Sequence, residues 1–279
     1  HGAHLPNIVR CDELVLDAVC DIRVDVAEKA AEDFGAQRWC TEWREIVEND
    51  AIDLVVLCTH TELRAELIVA CLEAGKPVYT EKPMAGSAEE LDRICECLSQ
   101  TDVPCCVGHN RRSGPAVQEF RRLFEKAHRV GAGYPPSIDR SEGKHPRVAE
   151  EERAQLLLRV NDDSRSWKDW VFDDDIGIIF VEMAHFTDLA LWFMNRTPVE
   201  VMAVGSPVGN HTATIRFEDD SLATLFHTMV GNFEYPKELY EGTVGNVTVA
   251  LDHHLEVRQC GIEDEVFTTY FPGRFEDEE

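Results

Sequence analysis

The sequence predicts an α/β chain: a parallel, doubly wound sheet domain over residues 1–112, then an α+β domain with a mainly antiparallel, open sheet over 113–279. Three observations predict it. The first 110 residues alternate near-continuous apolar runs with helical periodicity, the pattern of strands buried on both faces between helices. Strand starts near 52, 77 and 103 repeat at about 25 residues, the length of a βα unit with short loops. After Pro198 the pattern changes to consecutive strands joined by short turns.

In chain order, Leu14-Val15-Leu16-Asp17-Ala18-Val19-Cys20 reads as a strand ending at Asp21. Residues 24–34 read as a helix stopped by Gly35, 52–58 as a buried strand, and 62–74 as a helix stopped by Gly75. Pro77-Val78-Tyr79-Thr80 is a short strand. Ser87 then caps a helix whose first turn holds Glu89 and Glu90, acidic groups placed at its positive end. Residues 103–107 form the next strand. Beyond it, a helix over 114–126 leads into a Gly/Pro-rich, charged stretch at 131–153, and an apolar helix spans 178–194. Strands follow at 199–205, 211–217, 221–230, 239–244, 246–251 and 255–260, with Glu218-Asp219-Asp220 as a hairpin turn.

Composition removes several classes of function. With 53 acidic against 27 basic residues, the net charge is −26, which opposes binding to nucleic acid or to an anionic membrane surface. No apolar run approaches the roughly 18 residues of a membrane span. An ordinary acidic enzyme accounts for the charge; a salt-adapted source is the alternative. The ten cysteines lie largely in apolar runs such as Leu57-Cys58 and Cys105-Cys106-Val107, with no paired CxxC motif. They read as reduced thiols of a cytoplasmic protein, not disulfides or zinc ligands. No signal peptide is visible, although residue 1 is His.

Ligands of open α/β sheets bind at the carboxyl ends of strands. Asp21 stands at such an end, where the acidic residue of a dinucleotide fold would bind the adenosine ribose hydroxyls. No GxGxxG precedes it. Gly2 is placed to be that loop's last glycine, so the first strand and glycine loop are expected to be missing. Three further strand ends carry polar groups: Thr59-His60, Glu81-Lys82-Pro83 and His109-Asn110-Arg111-Arg112. Pro83 stiffens the turn that carries Lys82. On the apolar helix, Glu182, His185 and Asp188 fall on one arc, and burying such groups is costly unless they are partnered. An imidazole with a nearby carboxylate is suited to proton transfer.

With Val19-Cys20-Asp21, Glu81-Lys82-Pro83, Gly108-His109-Asn110-Arg111-Arg112 and Glu182-Met183-Ala184-His185-Phe186-Thr187-Asp188, the chain resembles the Gfo/Idh/MocA family of NAD(P)-dependent oxidoreductases over essentially its whole length. The resemblance implies a Rossmann domain and an α/β domain whose open sheet joins subunits into a homo-oligomer. It implies catalysis by Lys82 and His185, with Glu182 as the carboxylate partner. Cofactor contacts would come from Gly2, Asp21, Ile22, Arg23, Thr59, His60, Glu81, Lys82, Asn110 and Arg111. Substrate contacts would come from Lys82, Arg111, Trp167, Lys168, His185 and Asp188. The activity implied is oxidation of a secondary hydroxyl on a sugar, inositol or sugar derivative. NAD is the expected cofactor, with NADP left open by Arg23. A non-catalytic dinucleotide-binding sensor and an NAD-assisted glycosidase are the rival readings; retention of Lys82, His185 and a carboxylate favours chemistry over sensing. The chain departs from the family at Val181, where many members carry Asp, and at Thr59-His60-Thr61-Glu62-Leu63-Arg64, which replaces TPxxxH. The triple glycine before the helix is reduced to Gly177, and the chain stops early, at Phe275-Glu276-Asp277-Glu278-Glu279.

Overall fold

Short strands alternating with helices build the first of two units, His1–Gly108 and His109–Glu279, into which the chain divides. The computed structural model describes residues 3–130, 153–167, 172 and 177–272. Gly2, Lys168, the segment 131–152 and the last seven residues lie outside the described part.

In the first unit, α1 (His4–Arg10) leads to β1 (Ala18–Cys20), α2 (Val24–Phe34), β2 (Arg38–Cys40) and α3 (Arg44–Val47). Then come β3 (Val55–Leu57), α4 (Thr61–Glu73), β4 (Val78–Thr80), α5 (Ala88–Ser99) and β5 (Cys105–Val107). Every strand pair is parallel, as the apolar runs predict. The strands form two ladders, β2–β1 and β3–β4–β5. In the doubly wound order 3-2-1-4-5-6 these match 3-2 and 4-5-6. No strand of the described residues stands between them. The core is aliphatic: Val55, Leu57 and Val78 from the strands meet Leu67, Ile68, Cys71 and Leu72 of α4 and Ile94 of α5. The α5 start is capped as predicted, with Ser87 Oγ accepting from the Glu90 N–H at 3.2 Å and Glu90 Oε2 accepting from the Gly86 N–H at 2.8 Å. β2 was not anticipated; its three residues, Arg-Trp-Cys, carry no apolar run.

The second unit opens with a 3₁₀ turn (Asn110–Ser113) and α6 (Pro115–Val130). β6 (Gln155–Asn161) follows, an unanticipated strand whose even-numbered residues are buried. The helix expected over 178–194 is two elements: a π-helical turn (Ile179–Met183) and α7 (Ala184–Met194). Strands β7 (Pro198–Gly205), β8 (His211–Phe217), β9 (Leu222–Thr228), β10 (Glu238–Val244), β11 (Val247–Asp252) and β12 (Glu256–Cys260) match the predicted six, and β13 (Thr268–Tyr270) adds a short edge. They form one eight-stranded sheet ordered β13-β12-β11-β10-β6-β9-β8-β7. All pairs are antiparallel except β6–β9. The Glu218–Asp220 turn closes the β8–β9 hairpin, with the Phe217 N–H donating to Ser221 O at 3.0 Å.

One face of this sheet is covered by α6 and α7. Phe120, Phe124, Phe193 and Tyr240 meet there with ring centroids 4.8–6.2 Å apart. At Gly242 a Cβ would come within 2.6 Å of the Phe124 ring, so only glycine lets α6 lie this close to β10. The opposite face carries Leu157, Arg159, Phe226, Thr214, Thr224, Met202 and Val204, and no described helix covers it.

Candidate active site

The residues singled out from sequence fall in both units. In the first, β3 delivers Thr59-His60 and β4 delivers Glu81-Lys82-Pro83 at their carboxyl ends, because Leu57 and Thr80 are paired in register. Glu81 is held from two sides: His4 Nε2 lies 2.6 Å from Oε1, and the Lys82 N–H donates to Oε2 at 3.3 Å. The His4 ring meets Tyr79 edge-on at 5.5 Å. A Cβ on Gly108 would lie 2.7 Å from the Tyr79 hydroxyl and 3.3 Å from the Glu81 carboxylate, so glycine there admits both groups. The Lys82–Pro83 peptide is cis.

Arg64, on the first turn of α4, is buried. Its guanidinium donates through one terminal nitrogen to Pro83 O and through the other to Thr59 O. Sequence reasoning passed over it, because a charge on a helix reads as a solvated face.

Asp21 sits at the end of β1 and accepts from the Arg23 N–H at 2.9 Å and from Arg23 Nε at 3.4 Å, both on Oδ1. Ile22 beside it is 83% exposed. Thr59 Oγ1 is buried at the carboxyl end of β3 with no hydrogen-bond partner among the described residues. The buried hydroxyl of Thr59 and the strand-end carboxylate of Asp21, bound to Arg23 through Oδ1, are groups a bound dinucleotide would use. The residues present therefore fit an NAD lying along these strand ends.

The second unit contains a buried ionic network. Arg111 Nε donates to Glu238 Oε1 at 2.9 Å, and a terminal nitrogen reaches Glu182 Oε1 at 3.0 Å. Lys237 Nζ bridges Glu182 Oε1 at 2.8 Å and Asp162 Oδ1 at 3.0 Å. Asp162 also accepts from Trp167 Nε1 at 3.2 Å and faces His227 Nε2 at 3.4 Å. Glu238 is completed by His254 Nε2 at 2.9 Å and by the Tyr240 hydroxyl. Burial alone would push both carboxyls up. For Asp162, His227 and Lys237 outweigh burial; for Glu238, Arg111 and His254 do, so both titrate below the usual carboxylate range. Burial likewise pulls on Lys237 and Arg111, and the facing carboxylates raise both.

His185 and Glu182 are both buried at the junction of the π turn and α7. The described contacts of Glu182 are to Arg111 and Lys237, so its charge serves the network. Arg111 is turned into the same network, with its guanidinium 4.7 Å from the Phe186 ring. Asn110 is exposed on the 3₁₀ turn. Asp188 receives Arg112 Nε at 2.8 Å, with His109 Nε2 3.5 Å away. Asp162, Lys237, Glu238 and His254 were not singled out from sequence. Asp162 follows β6, and with that strand unrecognised its end could not be placed. Among the described residues, no group of three or more His, Cys, Asp or Glu side chains is arranged to hold a metal.

A parallel sheet with polar groups at its strand ends in one unit and an antiparallel sheet with a buried histidine in the other is an architecture in which dinucleotide-dependent oxidoreductases are built. The model of the oxidoreductase family with an NAD-binding Rossmann fold, GFO_IDH_MocA, matches residues 2–109. Myo-inositol 2-dehydrogenase of Thermotoga maritima is 28% identical over 251 residues, covering 85% of this chain and 67% of that enzyme. The scyllo-inositol 2-dehydrogenase (NAD(+)) of Bacillus subtilis is 31% identical over 120 residues, 43% of this chain and 35% of that enzyme. Among solved structures, levoglucosan dehydrogenase in complex with NADH superposes with a TM-score of 0.73 at 20% identity, covering 92% of this chain and 71% of that one. The chain thus spans about two thirds of the length of the Thermotoga relative and about one third of others. Residues 2–109 thus carry the pattern of the Gfo/Idh/MocA oxidoreductases with their NAD-binding Rossmann fold, and the whole chain is similar to dehydrogenases of inositols and levoglucosan.

Proposed function

We propose that the chain belongs to an enzyme that oxidises a secondary hydroxyl of a neutral sugar or polyol, an inositol above all. The observation that carries this reading is the match to an inositol dehydrogenase along 85% of the chain with Lys82 and His185 both present. Bound NAD supplies the hydride acceptor. Lys82 donates to the reacting oxygen and favours its growing negative charge, and His185 takes the hydroxyl proton. Asp21 receives the adenosine ribose hydroxyls, with Ile22 and Arg23 flanking; Thr59, His60, Glu81 and Asn110 line the cofactor. The carboxylate of Asp21 favours NAD over NADP, since a 2′-phosphate would meet its negative charge.

Glu182 and Arg111 support His185 from within the ionic network, and Trp167 and Asp188 flank the substrate. The uncovered sheet face is the surface through which copies of the chain associate. Free thiols at all ten cysteines suit a cytoplasmic setting; among the described residues no helix is long and apolar enough to cross a membrane.

The test is NADH formation across a panel of inositols, sugars and sugar acids. Lys82→Ala and His185→Ala should each lower turnover by about 10²-fold or more with the far-UV spectrum unchanged. Near wild-type turnover in both variants would remove the assignment.

A further inference from the structure

Arg64 is an expensive residue to place where it is. Burial disfavours its charge and pulls its pKa down, against the attraction of nearby Glu81. Its two described acceptors are main-chain carbonyls, and its Nε–H is buried without an acceptor. An apolar side chain would fill a helix–sheet contact at lower cost, so the guanidinium is there for the carbonyls it grips. These two carbonyls lie on the loops that leave the adjacent strands β3 and β4: Thr59 O on one, Pro83 O on the other. The planar fork spans them at a fixed separation, which a lysine's single ammonium cannot reproduce.

We propose that Arg64 is a positioning residue for the reaction: it locks the Lys82–Pro83 turn against the Thr59-His60 loop and so aims the Lys82 side chain. Glu81 is the counterpart on the other flank of the turn, tied to His4 and to the Lys82 N–H. Between them, both sides of Lys82 are fastened to the rigid part of the fold. A displacement of about 1 Å at such a residue is enough to cost about 10²-fold in rate. The proposal rests on Lys82 being the group that meets the reacting oxygen.

Three variants test it: Arg64→Lys, Arg64→Gln and Arg64→Ala. The measurements are thermal midpoint, amide hydrogen exchange and kcat, with and without added guanidinium at millimolar concentration. The expected result is faster exchange confined to residues 59–61 and 81–86, protection elsewhere unchanged, and kcat lowered 10- to 100-fold in all three. Guanidinium should restore much of the loss in Arg64→Ala alone, where a space of its shape is left. Exchange unchanged in both loops, or loss of protection throughout the unit with no rescue by guanidinium, overturns the proposal. Because exchange is read without substrate, the anchoring of the two loops by Arg64 stands or falls on its own; failure of the wild-type chain to oxidise polyols would show separately, in the wild-type rate.

Discussion

Glu182 shows how a side chain's neighbours decide what it does. From sequence it was the carboxylate three residues before His185, a ready partner for an imidazole. In the structure its oxygen meets Arg111 and Lys237, two cations from either side. Three carboxylates (Asp162, Glu182, Glu238) and two cations share this network, and removing a cation leaves a nearly fully buried carboxylate short of its counter-charge. The pH dependence follows. Asp162 and Glu238 are held below their ordinary values in the folded state, so each contributes stability above its unfolded pKa, near 4, and loses it as pH falls through the lower folded value. Urea midpoints should therefore fall from pH 5 downwards, and Glu238→Gln should flatten that decline. A variant whose acid decline matches the wild type would show that Glu238 titrates normally. The places of Lys82 and Asp21 just beyond strand ends were legible because apolar strand runs mark where each strand stops. Arg64, Asp162 and Lys237 were not, since their meaning comes from groups far away in sequence.

Long elements were legible for a different reason: their apolar spacing repeats. α2, α4 and α6 start and end within a few residues of the sequence reading, α5 starts where Ser87 was read as its cap, and the six strands after Pro198 are all present. The elements that escaped are short ones, α1, α3, β2 and β13, and β6, whose LLLRVN run abuts the charged 131–153 stretch. β6 proves central, pairing with β9 in parallel and with β10 antiparallel in the middle of the sheet. The apolar helix was read as continuous; its π turn at Ile179–Met183 breaks the α-helical spacing where Glu182 enters the network. The α6–α7–sheet layer depends on Phe120, fully buried against Phe124, Phe193 and Tyr240. Phe120→Ala should cost about 3–5 kcal/mol in denaturant unfolding of the second unit. A loss under about 1 kcal/mol would mean that the layer closes over the missing ring.

For the whole molecule, the net charge of −26 opposes polyanionic partners, and the outer face of the large sheet is covered by no described helix. That face mixes threonines with Leu157, Phe226, Met202 and Val204 and ends at β7, exposed along its whole length. A flat, partly apolar face of this size is unusual on a monomer. Sedimentation should give a mass that is a multiple of the chain's, and the double variant Phe226→Asp, Val204→Asp should sediment as a monomer. A wild-type monomer at micromolar concentration would remove the oligomer reading.

The central claim, that Lys82 and His185 serve a hydride transfer from a polyol carbon to NAD, is tested most directly by isotope. The chain, NAD and an inositol deuterated at the carbinol carbons would be mixed and the reduced cofactor examined by mass spectrometry. Deuterium carried into the reduced cofactor by the wild type and lost in Lys82→Ala is the predicted result. NAD binding without any deuterated product, across the inositols and neutral sugars alike, would contradict it.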